Sequence, residues 1–124
     1  MSVTIQVSVG ELFDKYSILL IKNKKIKNIQ SLEYIQKELN ILKPIKDKYD
    51  NDDLLNKLKI INETLWDIEN AKRQKEKDKI FDEKFIELAR NVYIWNDKRS
   101  EIKSEINNYF QSDIIDVKEY TYYK

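Results

Sequence analysis

The chain has 124 residues, 41% hydrophobic and 36% charged, with a net charge of +1. That suffices for one modest core and is too apolar for a disordered chain, while the near-balanced charge speaks against sequence-independent nucleic-acid binding. With no Cys and no His, the sequence excludes disulfides, thiolate nucleophiles, Cys/His zinc sites and imidazole catalysis.

One Gly and one Pro argue against a β-sandwich or a Gly-rich phosphate loop. No stretch approaches the roughly 20 apolar residues that span a bilayer. "MSVTIQVSVGEL" lacks the basic start and long apolar stretch of a signal peptide. A cytoplasmic protein without membrane insertion is expected.

In chain order, Val3, Ile5 and Val7 alternate with Thr4 and Gln6, the pattern of a short strand. Ser8 and Glu11 then form a capping-box pattern, with Val7 and Leu12 as its hydrophobic staple. A first helix is expected from about Val9, with the stripe Val9, Leu12, Tyr16, Leu19, Asn23 and Ile26. Phe13, Ile18, Leu20 and Ile21 widen that stripe, which predicts a central helix. Ser31 is a cap candidate for a second helix, with Leu32, Ile35, Leu39 and Leu42 on one face and Pro44 expected to kink or end it.

A third helix is expected from Asp52 or Asp53, with the seam Leu54, Leu58, Ile61, Leu65 and Ile68. "ENAKRQKEKDK" continues it as a solvated helix end or a charged loop. Asp82 is the cap candidate for a fourth helix. Its seam of Phe85, Leu88, Val92, Trp95, Arg99, Ile102, Ile106 and Tyr109 steps alternately by three and four, as in a coiled coil. Ile86, Ala89, Tyr93 and Ile94 add a second apolar face, so Phe85 to Trp95 is expected to be enclosed on several sides. "DVKEYTYYK" is rich in β-formers and is expected to pair as a strand with residues 3–7.

The expected fold is therefore mainly α: a single domain over 1–124, a four-helix antiparallel bundle with a short two-stranded β ribbon formed by the N- and C-termini.

Polar residues break the stripes at a few places. Arg99 is the only interruption of the fourth seam, with Asn96 and Asp97 just before it. A buried guanidinium needs a partner, and two sources are open. Asp14 or Glu69 could pair with it and fix helix register. Alternatively Arg90, Arg99 and Lys15 could hold a phosphate or carboxylate. In that arrangement Glu11, Asp14, Glu69 and Asp97 would orient the cations, and Trp66, Tyr93 and Trp95 would offer a flat surface to a ring. An enzyme would have to work through the same Arg/Glu/Asp electrostatics on a phosphorylated or carboxylated substrate. No catalytic residue can be singled out, and neither a cofactor nor a metal is expected.

"VSVGELFDKYSILLIK" (7–22), "LWDIE" (65–69) and "FDEKFIELARNVYIWNDKRSEIKSEIN" (81–107) together resemble an uncharacterised family of small bacterial and phage proteins, a domain of unknown function. Members are found beside, or fused to, glycosyltransferases and tetratricopeptide-repeat chains. The matching positions include Ser8, Gly10, Glu11, Asp14, Lys15, Glu69, Glu87, Arg90, Tyr93, Asn96, Asp97 and Arg99. The resemblance implies a setting in surface-polysaccharide or nucleotide-sugar metabolism, by association only.

The functional expectation is a non-catalytic helical module. Its ligand-binding set would be Glu11, Asp14, Lys15, Glu69, Arg90, Tyr93, Asn96, Asp97 and Arg99. It would bind a protein partner, a second copy of itself, or an anionic small molecule such as a nucleotide sugar or phosphorylated sugar. The alternative is the small helical enzyme.

Overall fold

A computed structural model describes residues 1–124. It contains four helices: α1 (Val9–Lys25), α2 (Ile29–Lys46), α3 (Asp52–Lys77) and α4 (Glu83–Tyr109). Each begins at a side chain that accepts a hydrogen bond from the third helical backbone N–H. Ser8 accepts from Glu11, Asn28 from Ser31, Asn51 from Leu54 and Asp82 from Phe85. The second cap is thus Asn28, three residues before the expected Ser31. Pro44 does not end its helix. It lies in the last turn of α2, and the chain stays helical to Lys46.

The charged stretch after Leu65 is helical to Lys77, so it is an exposed helix end. α3 and α4 each close with a residue in the left-handed region, Lys79 (φ 56°) and Gln111 (φ 53°). Ile80 N–H donates back to Lys75 at 3.0 Å and Ser112 N–H to Asn107 at 2.9 Å, the six-to-one bonds that terminate a helix in this way.

α1 is the hub, packing against α2, α3 and α4, whereas the α2 backbone lies close to α1 alone and reaches α3 through Lys46 and Asp52 at 3.8 Å. The wide apolar stripe of α1 is the cause: Phe13, Leu19 and Ile21 are all at most 4% exposed. Phe13, Leu58 and Ile106, from α1, α3 and α4, are fully enclosed, and Phe13 and Tyr49 pack against the ring of Phe110 at 5.5 and 5.3 Å. The core lies where the start of α1 meets the end of α4.

Two expectations fail. There is no β ribbon: residues 1–7 and 113–124 form no strand and make no backbone pairing, with Val3, Ile5 and Val117 exposed. The alternation was real, but Asp116 is tied to Ser8 and Asn107 instead, and the chain beyond it lies along α4. Nor is Phe85–Trp95 enclosed, since Ile106 and Asn107 are the only buried residues of α4. Geometry explains this. α3 and α4 have 26 and 27 residues and α1 has 17, so the α3–α4 pair is about 14 Å longer than its neighbour. The excess is a two-helix arm with no third helix against it.

Candidate functional site

A row of polar contacts runs along the α1–α4 seam beside the apolar core. At its base, three orphan N–H groups at the start of α1 are capped by side chains. Val9 N–H donates to Ser112 Oγ at 3.1 Å, Gly10 N–H to Asn107 Oδ1 at 2.6 Å and Glu11 N–H to Ser8 Oγ at 3.0 Å. Gly10 sits where the helices come closest: a Cβ there would lie 2.7 Å from the backbone oxygen of Lys103. One step along, Lys103 bridges Glu11 at 2.7 Å. The Glu11 carboxylate faces α4, so only the Ser8 half of the capping box is used.

One turn further lies the centre of the site. Asp14 has a side chain only 2% exposed, and it accepts from both Nε and Nη2 of Arg99, with the Nε bond at 2.9 Å. This is the bidentate fork that Arg makes with carboxylates. Asn62 of α3 donates to Asp14 Oδ1 at 2.9 Å and to Ser17 Oγ at 2.8 Å. Ser17 in turn donates to the backbone oxygen of Asp14 at 2.8 Å. No buried side-chain polar atom lacks a partner. Donation to the Asp14 carboxylate raises the Arg99 pKa further above its already high value, so the guanidinium stays charged.

Arg99 is not sealed in. Its side chain is 31% exposed. Nη1 reaches Asn96 Oδ1 at 3.5 Å, and Arg99 and Asn96 both line a cleft of about 400 Å³ between α1, α3 and α4. Ile18, Ile21, Leu65 and Trp66 form its apolar walls, with Asn62, Glu69, Asn70 and Asn96 the polar ones. Glu69 is flanked by Lys72 at 3.1 Å and Arg73 at 3.4 Å.

A second, larger groove of about 1180 Å³ lies on the other side of Arg99 and Asn96, beneath the C-terminal tail. Tyr123 donates to Asp97 at 2.7 Å and packs on Tyr93 at 4.9 Å, and Lys118 reaches Asp97 at 3.5 Å. The bond from Tyr123 holds the Asp97 carboxyl below its ordinary range, and the same bond pushes the Tyr123 hydroxyl up to about 12.

These shifts set a pH window for tail docking. The Asp97 contribution is complete above the free carboxyl value of about 4 and is lost as pH falls through its lowered one. The Tyr123 contribution is complete below about pH 10 and is lost as pH rises through about 12. NMR chemical shifts of residues 117–124 are expected to report a docked tail between those limits and a released one beyond them. A flat profile across pH 3–12, or one unchanged by Tyr123→Phe, contradicts this.

Of the nine residues expected to form the site, the structure brings Asp14, Arg99, Asn96 and Glu69 together around one cleft, with Glu11 one step along the same seam. Asp97 and Tyr93 face the tail groove instead. Lys15 points to α2, where it bridges Glu38 at 3.0 Å, and Arg90 is exposed on the arm. Asn62 and Asn70 were missed. Asn62 flanks the α3 seam next to Ile61, one turn after Leu58, and a polar residue in that place was a legible signal of the kind Arg99 gave. Ser17, Asn107 and Asp116 join the network through tertiary contacts that carry no local pattern.

The fold and the site define an all-α, bundle-like protein whose hub helix is locked to its last helix by a satisfied polar network. The chain belongs to the family of unknown function DUF6165, whose family model matches residues 2–123. No curated protein and no solved structure matches it. No helix is long and apolar enough to cross a membrane.

Proposed function

We propose that the chain is a non-catalytic cytoplasmic binding module, and that its ligand is an anionic, ring-bearing small molecule such as a nucleotide sugar or phosphorylated sugar. The observation that carries this reading is the posture of Arg99. Asp14 grips one edge of the guanidinium from a buried position, and the partly exposed Arg99 side chain lines the cleft. A guanidinium held from behind is pre-organised, so little further ordering is needed to dock a phosphate or carboxylate. Trp66 supplies a flat wall for a ring, and the amides of Asn70 and Asn96 suit hydroxyl groups. A volume of about 400 Å³ lies within the range of small-molecule clefts.

This cleft is favoured over the tail groove because all its walls are on helices, whereas the tail is attached to α4 by side chains alone. Binding is favoured over catalysis because the charged groups around it are paired. Arg99 is held by Asp14, and Glu69 by Lys72 and Arg73. Such groups suit holding a ligand better than exchanging protons with it.

The test is a thermal-shift panel of nucleotides, nucleotide sugars and sugar phosphates on the wild type and on Arg99→Lys. Lysine keeps an ion pair with Asp14 and loses the outer fork. A compound at about 100 times its Kd adds roughly 2.7 kcal/mol, which raises Tm by on the order of 10 °C in a chain of this size. The expected result is a selective shift that Arg99→Lys removes. A wild type that melts cooperatively and responds to no compound, or a shift that survives Arg99→Lys, contradicts the proposal.

A further inference from the structure

Arg90 and Tyr93 do not join the Arg99 cluster, and their surroundings on α4 form a surface of their own. Ile86, Ala89 and Tyr93 recur at three and four residues along α4; Tyr93 packs on Tyr123 of the tail at 4.9 Å yet keeps an exposed edge. Ile86 is 49% and Tyr93 43% exposed, and the turn at the tip adds Ile80 at 44%. Beside this stripe stand Glu83 and Arg90, seven residues apart and therefore nearly in line on one edge of the helix. Both are exposed, and neither has an ion-pair partner within the chain. Their neighbours Lys84 and Glu87 pair with each other at 3.7 Å.

We infer that this face of α4 is the contact between two copies of the chain, docked antiparallel about a twofold axis that passes near Ile86. The argument is complementarity. A twofold contact brings a patch against itself, so it needs a surface that matches its own reverse. Around an axis midway between Glu83 and Arg90, Glu83 of each copy meets Arg90 of the other, and both pairs form at once. Ile86 then lies against its own counterpart. Tyr93 is about 10 Å further along the helix and meets Ile80 at the other copy's tip. Half-buried Ala89 is small enough to let the helices approach.

A parallel docking would set Glu83 against Glu83 and Arg90 against Arg90, so the charge pattern selects the antiparallel one. One helix face on each side is a small interface, which makes the dimer weak, with a Kd on the order of micromolar. The contact lies along the arm, away from the Arg99 cleft, and does not depend on the ligand reading.

The experiment is sedimentation of the full chain over a concentration series, with circular dichroism confirming that each variant is folded. The wild type is expected to dimerise reversibly. Ile86→Asp should abolish association. Glu83→Arg alone and Arg90→Glu alone should each weaken it about tenfold or more, since each creates two like-charge contacts. The combination of Glu83→Arg with Arg90→Glu should restore it. A wild type that stays monomeric to millimolar concentration overturns the proposal. So does a dimer indifferent to Ile86→Asp, or one that the single charge reversals leave unchanged.

Discussion

Arg99→Ala is expected to lower the free energy of unfolding by about 3–5 kcal/mol. The loss comes from what stays behind. Asp14 is only 2% exposed, and without Arg99 its carboxylate keeps just one side-chain hydrogen bond, from Asn62. Water entering through the space that Arg99 vacates replaces the lost donors only in part, because the carboxylate itself is enclosed. Truncating the other partner is expected to cost less. Asp14→Ala strands a guanidinium that is 31% exposed and can hydrate from the cleft, and it leaves Asn62 bonded to Ser17. Urea denaturation of the two variants measures the asymmetry. Equal losses, or a loss below about 1 kcal/mol from Arg99→Ala, contradict this account of the pair.

Gly10→Ala is the second large effect, and its sign runs against helix propensity. In an open helix, Ala is favoured over Gly by roughly 0.5–1 kcal/mol. Here the added Cβ would lie 2.7 Å from the Lys103 backbone oxygen and 2.9 Å from Asn107 Oδ1. The first is backbone and cannot rotate aside, so α1 must move off α4. The second is the acceptor that caps Gly10 N–H, so that bond stretches or breaks. Overpacking costs about 1–3 kcal/mol, and a buried donor left unpaired about as much again. With partial relaxation and the propensity gain, the net loss is expected to be about 2–4 kcal/mol. A variant as stable as the wild type in urea denaturation would show that the helices are not in this contact.

The helices were legible because their signals are local. Ser8 before Glu11, Asp82 before Phe85 and the three-four spacing of Phe85 to Tyr109 each lie within a few turns, and each places an element correctly. Arg99 was legible for the same reason, as a charge on an apolar seam, and Asp14 was one of its expected partners. Lys15 and Arg90 show the limit. Their spacing along a helix places them on a face, but which helix packs on that face is decided elsewhere. Lys15 meets α2, and Arg90 meets no helix because α1 is too short to reach it. The ribbon expectation failed in a related way. Alternation in residues 3–7 marks a chain able to pair, and the partner segment was captured by Ser8, Asn107 and α4 instead. Asp116 and Ser112 close the start of α1 from far along the chain, and nothing in their own neighbourhood announces it.

Retiring both charges together tests the central claim most directly. That claim is that the Asp14–Arg99 pair presents a guanidinium to a ligand, and that the fold needs the two charges matched and not the charges themselves. In Asp14→Asn with Arg99→Met, Asn62 keeps an acceptor and no charge is left stranded. A buried pair replaced on both sides is often neutral in stability or better. Urea denaturation of this double variant, with and without the compound that stabilises the wild type most, is the measurement. The account predicts stability within about 1 kcal/mol of the wild type and no response to the compound. A double variant several kcal/mol weaker than the wild type, or one that still responds to the compound, would contradict it.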